Sequence, residues 1–125
     1  MTPLLDTHLV LWWMAGEASR ISKRALDALD SEGVEPIVSA VTIWEAAIKR
    51  GLGKLEAPPN LLAQLEDAGV EVLPLTGRHA DLVASLPLHH RDPFDRLLVA
   101  QATLEGLPLV SDEQWMRRYD VEVIW

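Results

Sequence analysis

The feature that most limits how this chain can fold is an alternation of very short apolar runs with helical stretches. The runs are "PLLD" at 3–6, "PIVSA" at 36–40, "VEVLPL" at 70–75, "PLVSD" at 108–112 and "VEVIW" at 121–125. Each is bounded by polar or turn-forming residues and has the length of a buried strand. Between them lie "HLVLWWMA", "KRALDALDSE" (opening at Ser19 or Ser22), "VTIWEAAIKRGLG", "APPNLLAQLEDAG", "TGRHADLVASLP", "DPFDRLLVAQA" and "EQWMRRY". In the second of these, Ile21, Ala25, Leu26 and Leu29 recur at helical spacing. Strands joined through helices run parallel, and a parallel sheet needs cover on both faces. The expected fold is therefore α/β: a three-layer α/β/α sandwich around a mostly parallel five-stranded sheet. A chain of 125 residues without linker or repeat reads as a single domain, 1–125.

The acids fall at informative places. Asp6 follows the first apolar run and Asp112 the fourth. Asp92 and Asp95 open the helix "DPFDRLLVAQA", and Glu45 sits in the first turns after "PIVSA". All five belong to strand-to-helix transitions or helix starts, which a parallel sheet gathers along one edge. That edge is where open α/β sheets bind ligands. Each acid also has a simpler role. Asp6 caps a helix, Asp92 caps one with Pro93 at its first position, and Thr42 with Glu45 forms a capping box. Capping does not require the acids to share an edge. Several carboxylates brought together repel one another, and a hard divalent cation such as Mg²⁺ relieves that repulsion through carboxylate oxygens.

Composition narrows the options. There is no cysteine, so disulfides, thiol nucleophiles and Cys-ligated zinc are excluded. No basic n-region or long apolar stretch is present, so the expectation is a soluble, cytoplasmic protein without a membrane partner. The formal charge of −8 runs against non-specific nucleic-acid binding, which rests on phosphate neutralisation. An acidic chain acting on nucleic acid needs a local basic rim or bound cations. Lys49, Arg50 and Lys54 group in "KRGLGK" and read best as a solvated helix end. His8, His79, His89 and His90 have no recognisable ligand spacing.

The segments "LLDTHLVLWW", "SAVTIWEAAIKRGLGKL", "HRDPFDRLLVAQA" and "PLVSDEQW" resemble, in order and over nearly the whole chain, the successive motifs of PIN-domain ribonucleases. The resemblance is strongest to the VapC-type toxins of bacterial toxin–antitoxin pairs. It implies metal-dependent cleavage of single-stranded RNA, with Mg²⁺ or Mn²⁺ held by Asp6, Glu45, Asp95 and Asp112. Asp95 is preferred to Asp92 because the family acid directly precedes the apolar run, here "RLLVAQA". Asp92 is then a cap or a supporting residue. Thr7 and Ser111 are candidates to hydrogen-bond the ligands or a phosphate, and Arg96 to contact RNA phosphate. The resemblance also implies a homodimer and a cognate antitoxin. The apolar surface expected for such a partner lies around Val10, Trp12 and Trp13, because adjacent tryptophans on a helix point about 100° apart. Trp44 reads as core.

Three other readings are weaker. A small-molecule metallohydrolase, suggested by "DTH", lacks an "HxH" ligand pair. A phospho-receiver module needs a lysine after a later strand, and none follows Lys54. A catalytically silent PIN-fold binding module would not need its acids intact.

Overall fold

A computed structural model describes all 125 residues. Five strands, β1 (Leu4–Leu5), β2 (Ile37–Ser39), β3 (Glu71–Leu73), β4 (Leu109–Val110) and β5 (Val123–Ile124), form one sheet in the order β3-β2-β1-β4-β5. Every pairing is parallel. The six α-helices are α1 (Thr7–Met14), α2 (Lys23–Asp30), α3 (Ala40–Gly51), α4 (Leu61–Asp67), α5 (Gly77–Leu82) and α6 (Pro93–Glu105). The expected sandwich is the fold found, with two adjustments at short segments. "EQWMRRY" forms a 3-10 helix over Gln114–Arg118, and the end of "TGRHADLVASLP" tightens to 3-10 after Leu82.

The short strands explain the layering. Successive strand residues face opposite sides of a sheet. Leu5, Val38, Val110 and Ile124 enter one core, with Leu9, Val10, Ala25, Leu29, Leu61 and Leu65 from α1, α2 and α4. Leu4, Ile37, Leu109 and Val123 enter the other, with Leu98, Val99 and Ala102 of α6, Met116 and Tyr119. Burial on both faces is why the runs show no polar alternation. Helix α6 is apolar nearly all round for the same reason, with Leu98 to Ala102 buried without a break. It ends at Gly106, whose φ of 65° suits a residue lacking a Cβ.

Strand order also places the edge that matters. The chain steps outward from β1 to β2 to β3, then returns to lay β4 on the other side of β1. The order reverses between β1 and β4, and ligand crevices in such sheets form beyond the strand ends at that reversal. Asp6 leaves β1 there, and Ser111 and Asp112 leave β4.

Two expectations about the apolar surface need correction. Trp44 is not core: it is half-exposed on the outer face of α3, edge-on to Phe94 at 5.0 Å. The buried side of α3 is taken by Val41, Thr42, Glu45 and Ala46, which leaves Trp44, Ile48 and Leu52 outside. Val10, conversely, is fully buried and contributes nothing to a partner surface. Trp12 and Trp13 are both partly buried against the first core.

Candidate acidic site at the strand edge

Asp6 is the N-cap of α1, its Oδ1 accepting from the Leu9 N–H at 2.9 Å. Its Oδ2 accepts a short hydrogen bond from the Ser111 hydroxyl, which ties the ends of β1 and β4 together. Ser111 in turn accepts from the Glu113 N–H at 3.0 Å. Glu45 is buried on α3, and its Oε1 accepts from the Thr7 hydroxyl at 2.5 Å. Its Oε2 accepts from Lys49 Nζ at 2.6 Å. Thr7 is thus a clamp between α1 and α3 rather than a cap. Thr42 does not cap α3 either. The helix begins earlier, at Ala40, with Ser39 as N-cap accepting from the Val41 N–H at 2.9 Å.

Helix α6 opens as its sequence suggests. Asp92 Oδ1 accepts from the N–H groups of Phe94 at 2.9 Å and Asp95 at 3.2 Å, with Pro93 in the first turn. The Asp95 carboxylate accepts no hydrogen bond from the chain, and neither does that of Asp112. Both are unlike Asp6 and Glu45, whose two oxygens are each occupied by protein donors.

The charges meet at Asp95. Burial, and then the carboxylates of Asp92, Glu45, Asp6 and Glu113, push its pKa up to about 8. Asp6 is raised to about 6 by burial, offset by the Ser111 hydroxyl and the Leu9 N–H, with Asp112 adding to the rise. For Lys49, burial works to lower the pKa, but the hydrogen bond and charge of Glu45, with Asp92 and Asp95, outweigh it and raise it. Asp95 is thus coupled to Glu45 and Asp6, and Asp112 joins the group through Asp6. They do not form a closed cage: no three acids or histidines gather tightly enough to enclose an ion. Magnesium commonly takes only one or two carboxylates and keeps several waters. An all-carboxylate donor set, two members of it free of hydrogen bonds, fits a hard divalent cation held in that open way.

Arg96 corrects the sequence reading. It is buried, and its guanidinium donates to the carbonyls of Val83, Leu86, Pro87 and His90 and to the Tyr119 hydroxyl. One residue further round the helix than Asp95, it pins the α5–α6 connection and does not face the acids. Three contributors are not evident in the sequence. Lys49, which reads there as part of a solvated helix end, reaches Glu45; its spacing of four residues is the available signal. Glu113 sits beside Asp112 in "SDEQW" and adds to the charge on Asp95. Ser39 donates to Gln101 Oε1, fastening the start of α3 to α6 and so Glu45's helix to that of Asp95. No sequence signal joins two polar residues so far apart.

A cleft of about 680 Å³ lies apart from the four acids, between α1 and the α3–α4 connection. Trp12, Leu11, Met14, Leu55 and Pro58 line it, with Arg20, Lys54 and Glu56 among its polar residues.

An all-parallel sheet with carboxylates crowded at its strand-order reversal defines an α/β protein with an acidic strand-edge site. The sequence matches the PIN domain family over residues 4–122, and the chain belongs to that family. Its fold is similar to that of VapBC2 from Rickettsia felis bound to a fragment of promoter DNA, with TM-score 0.71 and 13% identity, covering 98% of this chain and 97% of that one. It is also similar to DNA-bound VapBC from Salmonella typhimurium, with TM-score 0.65, 19% identity and coverage of 98% and 97%. VapBC-5 from Mycobacterium tuberculosis, a member of the VapBC family of toxin–antitoxin systems, gives TM-score 0.61, 21% identity and coverage of 98% and 96%. No curated protein matches the chain. No helix is long and apolar enough to cross a membrane.

Proposed function

We propose that this protein is a divalent-cation-dependent endoribonuclease cleaving single-stranded RNA, the toxin of a VapC-type toxin–antitoxin pair. The observation that carries the reading is Asp95. It is a partly buried carboxylate at a helix N-terminus that feels the charge of four other acids and is given no hydrogen-bond donor. Asp6, Asp95 and Asp112 are the residues that would hold Mg²⁺ or Mn²⁺, with Glu45 beside them. When bound, the ion supplies charge neutralisation at the phosphate and lowers the pKa of water. The chain's own part is positional. The Leu9 N–H and Ser111 hydroxyl fix Asp6, Thr7 and Lys49 fix Glu45, and the α6 dipole favours the ionised form of Asp95.

The cleft beside Trp12 supports an antitoxin as partner. Its lining mixes apolar residues with charges of both signs, and it shares no residue with the acid cluster. A homodimer would use a different surface, the exposed Trp44 and Ile48 of α3 with Leu52 just past its end. Action on RNA together with an antitoxin places the protein in the cytoplasm.

The test is cleavage of an unstructured RNA by purified protein with Mn²⁺, with EDTA, and with D112N in place of wild type. Cleavage that requires Mn²⁺ and is lost in D112N is expected. Cleavage undiminished by EDTA would refute the metal mechanism, and no cleavage under any condition would leave a silent binding module.

A further inference from the structure

Lys49 is the only lysine or arginine in contact with any of the site's acids. It stands four residues after Glu45 on α3, in the Glu-before-Lys orientation that favours helical ion pairs. This is not an ordinary surface pair: the Glu45 side chain is 2% exposed and that of Lys49 28%. The ammonium is held from several directions. Glu45 Oε2 accepts a hydrogen bond from it, the Phe94 ring lies 5.5 Å away, and the carboxylates of Asp92 and Asp95 act on it from the start of α6. Glu45 itself cannot swing away freely, because Thr7 grips its other oxygen. A positive charge has been built into the acid cluster by the chain.

We infer that Lys49 is a positioning residue of the acid site: it serves as the cluster's own cation and sets the divalent-ion concentration at which the site loads. The inference rests on the metal-dependent reading proposed above. Its physical basis is linkage. A fixed ammonium beside Glu45 and Asp95 repels an incoming divalent cation and occupies a Glu45 oxygen. The coupling is reciprocal, so a bound ion must weaken the Lys49–Glu45 pair by the same factor. Lys49 thus holds the acids together in the metal-free protein at the expense of metal affinity.

The experiment is a calorimetric titration of the full chain with Mn²⁺, comparing wild type, K49Q and K49R, with thermal melts of each metal-free protein. K49Q should bind Mn²⁺ about tenfold tighter, within the roughly 5–150-fold range typical of coupling between sites. Its metal-free melting temperature should fall, because Glu45 loses its cation. K49R should restore both properties toward wild type. A lysine with a merely structural role would lower the melting temperature without tightening metal binding. If wild type binds Mn²⁺ and K49Q binds it no more tightly, the Lys49 inference falls alone. If neither binds, the metal-dependent reading falls and takes Lys49 with it. Should K49Q not fold, wild type carries the test through acetylation of the Lys49 amine, followed by mass spectrometry. Added Mg²⁺ should speed that acetylation severalfold, and an unchanged rate would overturn the inference.

Discussion

Asp95 and Arg96 are neighbours in the chain, and both are largely withdrawn from water. Around Arg96 the chain provides four carbonyls and a tyrosine hydroxyl. Around Asp95 it provides no donor and four further acids. A fold normally satisfies what it buries, since an unpaired buried charge is costly. Arg96 follows that rule and serves the structure. Asp95 instead keeps solvent access at carboxylate oxygens that take no donor from the chain, and such a carboxylate among other acids at the sheet's reversal point is open to a ligand. Burial of a charge therefore says little by itself. The partners supplied to it separate scaffold from site.

The largest expected effect breaks the satisfied side. Arg96→Ala leaves several carbonyls of the α5–α6 connection without a donor, at about 1–3 kcal/mol each. Urea unfolding should show a loss of about 3–5 kcal/mol. A loss below about 1 kcal/mol would mean that water replaces the guanidinium and that Arg96 is no scaffold.

Next comes metal. Mn²⁺ at a hundredfold excess over Kd should stabilise wild type by about 2.7 kcal/mol, and Asp95→Asn should shrink that gain sharply. Equal shifts in the two melting curves would remove Asp95 from the site.

Without metal the same substitution should stabilise. Asp95 has its ordinary pKa of 3.8 in the unfolded chain and about 8 in the folded one. Between those values the folded state holds more protons, so wild-type stability falls as pH rises from about 4 to about 8. An asparagine side chain at this position has no such proton to lose. D95N should therefore be more stable at pH 8 by about 1–3 kcal/mol, less than the full linkage value because solvent screens a partly exposed Asp95, with the gain growing across that window. Melts at pH 5 and pH 8 decide it, and a mutant less stable at both would show that the helix dipole's hold on the Asp95 charge outweighs charge repulsion.

The smallest effect tests redundancy around Arg96. Tyr119→Phe removes one hydroxyl and leaves the four carbonyls, so it should cost only about 0.5–1.5 kcal/mol. A loss matching that of R96A would make Tyr119 the keystone of the cluster, and the carbonyls incidental.

Much of the fold is legible in the sequence because its signals are local. The strands are visible as apolar runs because each residue meets a core, whichever face it takes. Ser22, Asp92 with Pro93, and Gly106 mark helix ends through contacts a few residues away. The four acids are legible as a set through their places after strands and at helix starts. What holds them in place is not. The Thr7–Glu45 clamp spans 38 residues, the Ser39–Gln101 tie 62 and the Ser111–Asp6 bond 105. Trp44 reads as core because its type favours burial, while its direction depends on which face α3 turns inward.

By itself, the sequence determined an α/β chain with parallel strands, most helix boundaries, and a group of acids at one edge. Those features follow from apolar periodicity and short-range capping, which act within a few residues. Only the tertiary structure decided that β4 returns to the far side of β1, bringing Asp112 to Asp6. It also decided that Lys49 turns toward Glu45, and that Asp95 faces acids while Arg96 faces carbonyls. Successive positions on a helix differ by about 100° in direction, so a rotation of α6 by one residue's turn would aim Arg96 where Asp95 now points. Such a rotation is set by packing against the sheet and α5, which no local pattern encodes.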